Sequence, residues 1–104
     1  MESEATIARL GVLVPSNDRL QEPELCKLKP DGITIHFARL WFPESNDRRY
    51  LHELINYVGT EARKLSHAKV NTISCGCTSG SFIGGPDYAI KIMKIIEDKT
   101  GIPA

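Results

Sequence analysis

Apolar residues follow two rhythms along this chain, and the way they alternate predicts a fold. From Ile7 to Val14 the run IARLGVLV is dense in aliphatic and β-branched residues and stops at Pro15-Ser16-Asn17. A short continuous apolar run closed by turn residues reads as a buried strand opening into a loop. A short helix is expected next. Pro23 falls in its first turn, Leu20, Leu25 and Leu28 are placed to face inward, and Pro30-Asp31-Gly32 ends it. Ile33, Ile35 and Phe37 then alternate with Thr34, His36 and Ala38, the period of two that marks a second strand.

The clearest helical stripe comes from Leu51, Leu54, Ile55, Val58, Ala62 and Leu65, which recur at the spacing of one helix face, with Ser45, Asn46 or Asp47 as candidate caps. Val70 to Cys75 reads as a third strand. Asp87 to Lys99 reads as a third helix, with Pro86 in its first turn and Gly101 as its C-cap. The order βαβαβα predicts one α/β domain over residues 1–104, a three-stranded parallel sheet with right-handed crossovers. The strand order expected is 2-1-3, with helices on both faces, because a site shared by Asn17 and Cys77 needs strands one and three to be neighbours. Ligands of such sheets bind beyond the carboxyl ends of the strands, where strand order reverses. Two loops therefore matter, Pro15-Ser16-Asn17 after strand one and Cys77 to Gly85 after strand three.

Composition narrows the function classes. A length of 104 residues fits one small domain, and Lys+Arg 13 against Asp+Glu 13 leaves no net charge to attract nucleic acid or an anionic membrane surface. No apolar run approaches the roughly 20 residues of a membrane span, and Met1-Glu2-Ser3-Glu4 is acidic where a signal peptide is basic, so a cytoplasmic protein is expected. The three cysteines, Cys26, Cys75 and Cys77, cannot all pair within the chain and match no zinc spacing. Reduced thiols, with no metal, are the expectation.

The stretch Cys77-Thr78-Ser79-Gly80-Ser81 ends the third strand with a thiol, hydroxyls and free backbone amides. Such groups suit a small carboxylate: a thiolate attacks or takes a proton, while hydroxyls and N–H groups at a helix start hold negative charge. A cysteine ionises near pH 8.5 when unperturbed, and a helix N-terminus favours its thiolate. Other readings stay open. Either Cys77 or Cys75 can be a buried small hydrophobe, and Cys75, deeper in the strand, fits the core better. Asn17 or Ser16 can cap the following helix instead of meeting a ligand. Arg39 can reach a substrate carboxylate or form a surface ion pair, with the ion pair favoured. Trp41-Phe42-Pro43 is expected to pack over the sheet edge. The scattered His36, His52 and His67 make poor ligands or bases, and Gly84-Gly85 lacks the spacing and lysine of a phosphate loop.

Several motifs, in order, carry a resemblance. Gly11-Val12-Leu13-Val14-Pro15-Ser16-Asn17, Glu22-Pro23-Glu24-Leu25, His36-Phe37-Ala38-Arg39-Leu40, and above all Cys77-Thr78-Ser79-Gly80-Ser81-Phe82-Ile83-Gly84-Gly85 together resemble the maleate cis-trans isomerase and arylmalonate decarboxylase branch of the aspartate/glutamate racemase superfamily. The resemblance implies a cofactor-independent enzyme of two similar α/β halves with its active site between them, each half giving one cysteine in the isomerases and racemases. By that resemblance Cys77 is the catalytic cysteine of the first half, Thr78 and Ser79 are carboxylate or oxyanion ligands, and Asn17 binds a carboxylate. The sequence ends at Ala104, where the family continues into its next strand. The chain is therefore expected to supply one half of a site for a small carboxylate substrate, completed by a homo-oligomer or by a second half. An isomerase, racemase or decarboxylase of small dicarboxylates follows, with isomerase favoured because cysteine stands where arylmalonate decarboxylases carry a glycine. The alternative is a catalytically silent half-domain that binds a carboxylate or a partner chain.

Overall fold

The computed structural model of the chain describes residues 6–42, 49–76 and 78–104, with backbone alone at 49–52 and 78–85. Its elements run β1 (Ala8–Pro15), α1 (Gln21–Leu28), β2 (Ile33–Leu40), α2 (Arg49–His67), β3 (Thr72–Cys75) and α3 (Thr78–Thr100). The three strands form one parallel sheet in the order β2-β1-β3, the order expected.

Register assigns the faces. Leu13 of β1 pairs with Ala38 of β2 and Cys75 of β3, and Gly11 pairs with His36 and Ile73, so these residues share one face. On that face Leu13, Leu40 and Ile73 pack with Leu54, Val58, Ala62 and Leu65 of α2 and with Ile92 and Ile96 of α3 in a single core. Burial of those aliphatic side chains is the main favourable term in folding. Gly11 lets the end of α2 approach the central strand: a Cβ there would lie 3.1 Å from Val70 Cγ2 and 3.2 Å from Leu65 Cδ1. The opposite face carries Leu10, Val12 and Val14 beside Ile35 and Phe37 of β2 and Thr72 and Ser74 of β3. The right-handed crossover from β1 to β2 puts α1 on this side, so helices flank both faces. Cover here is thin: Val12 and Val14 are buried, but α1 has no buried residue of its own.

Several expectations need correction. Leu20 and Leu28 do not face inward but stand 67% and 79% exposed, while Leu25 is half-buried. Both lie at the limits of the helix: Leu20 is its N-cap rather than a helical residue, and Leu28 is its last residue. The third helix begins at Thr78, well before Asp87, and runs through Pro86. Gly80, Gly84, Gly85 and Pro86 are all weak helix formers, and Pro86 has no N–H for the carbonyl of Phe82, so local propensity alone argued for a later start. The loop expected from Cys77 to Gly85 thereby shrinks to its first residues. β1 starts at Ala8, with Ile7 exposed, and β3 starts at Thr72, because the backbone of Asn71 is occupied with Arg9 before the ladder begins. Of the segment expected to pack over the sheet edge, Trp41 is 63% exposed, Phe42 packs against the core, and Pro43 lies outside the described residues. The candidate caps Ser45, Asn46 and Asp47 lie outside the described residues.

Gly101 ends α3 as expected. Its φ of +70° is open to glycine and strained for other residues, and its N–H donates to the Glu97 carbonyl at 2.8 Å. The chain then returns along the outer edge of β3, where the Pro103 carbonyl accepts from the Ile73 N–H at 2.9 Å and from Thr72 Oγ1 at 3.0 Å. Among the described residues no helix is long and apolar enough to cross a membrane.

The uneven cover of the two faces sets an expected contrast in stability. Leu54→Ala empties a fully buried site facing the sheet and should cost about 2–5 kcal/mol. Leu28→Ala, on exposed α1, should stay within about 0.5 kcal/mol. Urea denaturation of the two variants checks the pair, and comparable losses would show that α1 buries more than its exposure indicates.

Candidate active site at the carboxyl edge of the sheet

Because all three strands run parallel, their carboxyl ends lie on one edge, and β1 and β3 are direct neighbours there. The chain leaves β1 toward β2 on one side and crosses back to β3 on the other. The gap between these two strand ends is thus the point where strand order reverses, the usual ligand site of open α/β sheets.

The turn after β1 is held from several directions. The Ser16 N–H donates to the Leu40 carbonyl at 2.6 Å, and Ser16 Oγ accepts from the Phe42 N–H at 2.9 Å. The Asp18 N–H donates to the Pro15 carbonyl at 2.9 Å, and Asp18 Oδ2 accepts from the Gln21 N–H at 3.0 Å. Asp18, and neither Asn17 nor Ser16, therefore satisfies the first amide of α1, whose N-cap Leu20 offers no side-chain bond. Arg39, from the end of β2, donates to the Asp18 carbonyl at 2.7 Å and the Ser16 carbonyl at 3.3 Å, and its Nη2 pairs with Glu22 Oε2 at 2.6 Å. The surface ion pair favoured for Arg39 is present, and the same guanidinium also clamps the turn. Asn17 sits exposed at the turn's crest, and among the described residues its side chain has no hydrogen-bond partner.

Across the gap, the Gly76 N–H donates to the Leu13 carbonyl at 2.7 Å, extending the pairing of β1 with β3 by one residue. The Gly76 carbonyl accepts from Gln21 Nε2 at 2.7 Å. Cys77 lies outside the described residues. Thr78 and Ser79 open α3, so their amides belong to the first turn of a helix, whose N–H groups have no acceptor within the helix. The structure thus brings the Asn17 turn and the start of α3 to one edge of adjacent strands. Sequence reasoning missed Gln21. The available signal was Gly76 itself, since a glycine at a strand end marks a close approach by another group.

Other candidates stand apart from this edge. His36 Nε2 is 2.9 Å from Thr34 Oγ1 in the middle of β2, and His67 is exposed at the end of α2. Cys75 is half-buried and packs against the core, the role expected for it. It also lines a groove of about 320 Å³ at the outer side of β3, with Ile73, Ala89, Ile92 and Met93. A shallow depression of about 300 Å³ gathers Arg63, Lys64, His67 and Lys99. These cations lie near the C-terminal ends of α2 and α3, where positive charge complements the helix dipoles. Among the described residues no three His, Cys, Asp or Glu side chains gather to hold a metal.

The fold is that of one lobe of the racemase-like α/β enzymes. Arylmalonate decarboxylase and maleate isomerase share it. A double mutant of arylmalonate decarboxylase in its liganded form superposes with a TM-score of 0.72 at 24% identity, over 92% of this chain and 40% of that one. A variant of maleate isomerase from Pseudomonas putida S16, solved with maleate, superposes with a TM-score of 0.70 at 22% identity, over 92% of this chain and 43% of that one. A glycine-to-cysteine mutant of arylmalonate decarboxylase in a sulfate-associated form gives a TM-score of 0.69 at 25% identity, over 91% and 40%. The chain therefore spans about 40% of the length of these enzymes, as one half would. No family model and no curated protein matches the sequence.

The geometry separates two roles around the turn. Asn17→Ala should leave stability within about 0.5 kcal/mol, as for an exposed side chain without a partner. Asp18→Ala, which strips the first amide of α1 of its acceptor, should cost about 1 kcal/mol. Thermal melts of both variants test this; a larger loss at Asn17 would mark it as a structural cap.

Proposed function

We propose that this chain is one lobe of a cofactor-independent isomerase, racemase or decarboxylase of small dicarboxylates, with maleate isomerisation the favoured chemistry. The observation that carries the reading is the juxtaposition at the β1–β3 gap of the Asn17 turn with the N-terminus of α3. In this reading Cys77, directly before the helix, acts as nucleophile or base. Asn17, Thr78 and Ser79, with the first amides of α3, hold a substrate carboxylate.

The chemistry follows from charge. Addition of a thiolate to the double bond of maleate pushes negative charge into the adjacent carboxylate. Rotation about the resulting single bond and loss of the thiolate then give the trans isomer, with no net redox change. Donors already aimed at that carboxylate stabilise the charge without reorganising, and the helix start favours the thiolate. The maleate isomerase structure with maleate supports the substrate class, and a decarboxylase on the same fold keeps decarboxylation as the neighbouring reaction. The reaction calls for reduced thiols and fits a cytoplasmic setting.

The chain's share of the length of these enzymes motivates a second element. The active cleft is completed by another lobe, supplied by a second copy of this chain or by a separate half. Exposed Ile90 and Met93 on α3, beside the groove along β3, offer apolar surface for such pairing. A silent half-domain that binds a carboxylate or a partner chain is the competing reading, favoured by the same coverage.

Two measurements test the proposal. Peptide-resolved iodoacetamide labelling near neutral pH should modify Cys77 faster than Cys26 or Cys75, and a Cys77 slower than both would remove it as the reactive thiol. Size-exclusion with light scattering, run beside a maleate-to-fumarate absorbance assay, should show turnover only in an associated form. Clear isomerase activity from a strict monomer would contradict the need for a second lobe.

A further inference from the structure

Where α3 ends against α2, away from the carboxyl edge, positive charge collects around the depression of about 300 Å³ lined by Arg63, Lys64, His67 and Lys99. An adjoining depression shares His67 and adds Lys69. Helix dipoles account for part of this charge, since Lys64 and His67 stand in the last turn of α2 and Lys99 in that of α3. Arg63 precedes that turn. Lys69 lies beyond the helix with a φ of 58°, in the left-handed region where glycine would be unstrained. Neutralisation is incomplete as well. Glu61 pairs with Lys64 at 2.9 Å, but the residues three and four positions from Arg63 are Gly59, Thr60, Ser66 and His67, and those before Lys99 are Ile95 and Ile96. Neither cation thus meets a carboxylate along its own helix, and among the described residues neither side chain has an ion-pair partner.

Packing holds Lys99 over this depression. Its stem lies across Gly59, which is buried on α2: a Cβ there would stand 3.3 Å from Lys99 Cγ and 3.5 Å from Lys99 Cε. An aliphatic stem laid over a small residue keeps its ammonium in water beside the neighbouring helix. We propose that this basic shelf binds a small polyvalent oxyanion of the diphosphate class, held by Arg63 and Lys99 across the two helices with Lys64, His67 and Lys69 around it. Like charges gathered in one place repel, and an anion among them relieves the repulsion. A diphosphate concentrates several charges in a small volume and offers oxygens to the guanidinium fork and to an ammonium together, whereas a simple dicarboxylate carries one charge at each end. The inference stands apart from the proposed function, because it uses none of that site's residues.

The test titrates the full chain with inorganic pyrophosphate and follows the backbone amides by NMR. Saturable shifts at Gly59, Arg63, His67 and Thr100, with none in the Ser16-Asn17-Asp18 turn, are expected. Arg63→Gln and Lys99→Gln should each raise the half-saturating concentration about 3- to 10-fold, between the value of an exposed ion pair and that of a charge-assisted hydrogen bond. Raising the ionic strength from about 0.01 to about 0.1 M, which shortens the screening length about threefold, should weaken binding further. Gly59→Ala separates binding from stability. Alanine favours a helix over glycine, so this variant should melt no lower than the unaltered chain, yet its methyl group displaces the Lys99 stem and should weaken binding about 2- to 3-fold. Pyrophosphate shifts confined to the Ser16-Asn17-Asp18 turn, shelf shifts reproduced by sodium chloride at equal ionic strength, or an affinity unmoved by both glutamine variants would overturn the proposal. Citrate filling the shelf at lower concentration than pyrophosphate would overturn the diphosphate assignment.

Discussion

The pairing of β1 with β3 is the constraint on which the site depends. It places Leu13 opposite Cys75, and the Gly76 N–H bond to the Leu13 carbonyl carries the ladder one residue further. The turn after β1 and the entry to α3 thereby meet at one edge of the sheet. Without that adjacency, Asn17 and the first amides of α3 could not be offered to one ligand. The turn is braced in turn by Arg39, which gathers two carbonyls and the Glu22 carboxylate. That ion pair is exposed, so it adds little Coulomb energy in water. Its effect is geometric, holding the turn on which Asn17 stands.

The core that supports this edge is one-sided. α2 and α3 share the face of Leu13 and Ile73, and their apolar residues form a continuous cluster with the sheet. The other face relies on a short helix that buries none of its own residues. In a small domain each buried aliphatic side chain is a sizeable part of a narrow margin of stability, so α2 and α3 carry most of it. The same arrangement keeps the binding edge apart from the core: residues that make the site sit on turns and a helix start, while the packed helix faces provide the frame.

Much of this was legible in the sequence, for physical reasons that differ by element. The helical stripe through Leu54, Val58, Ala62 and Leu65 is long and regular enough to fix α2, and three apolar runs separated by helices argue for a parallel sheet, whereas its order came from requiring the loops after strands one and three to meet. α3 was misread at its start because Gly80, Gly84, Gly85 and Pro86 disfavour a helix locally, and single-residue propensity is a weak prior against tertiary context. Leu20 and Leu28 were misplaced because they stand at the two limits of α1 rather than within it. At the site, Asn17 was picked out by its place after β1, but Asp18 took the capping role also considered for it. Gln21 left no trace in any motif, since its partner is a backbone carbonyl some fifty residues away in sequence.

In the proposed function, Asn17 and the Cys77 segment bind one carboxylate together. The most direct measurement is the rate of Cys77 alkylation across a maleate titration in the unaltered chain and in Asn17→Ala. Saturable protection of Cys77, with Asn17→Ala moving the half-protecting concentration upward by about 10- to 100-fold, as expected for one lost hydrogen bond to a charged group, is the predicted result. Alkylation of Cys77 at a constant rate up to high maleate concentration, or protection unchanged by Asn17→Ala, would contradict it.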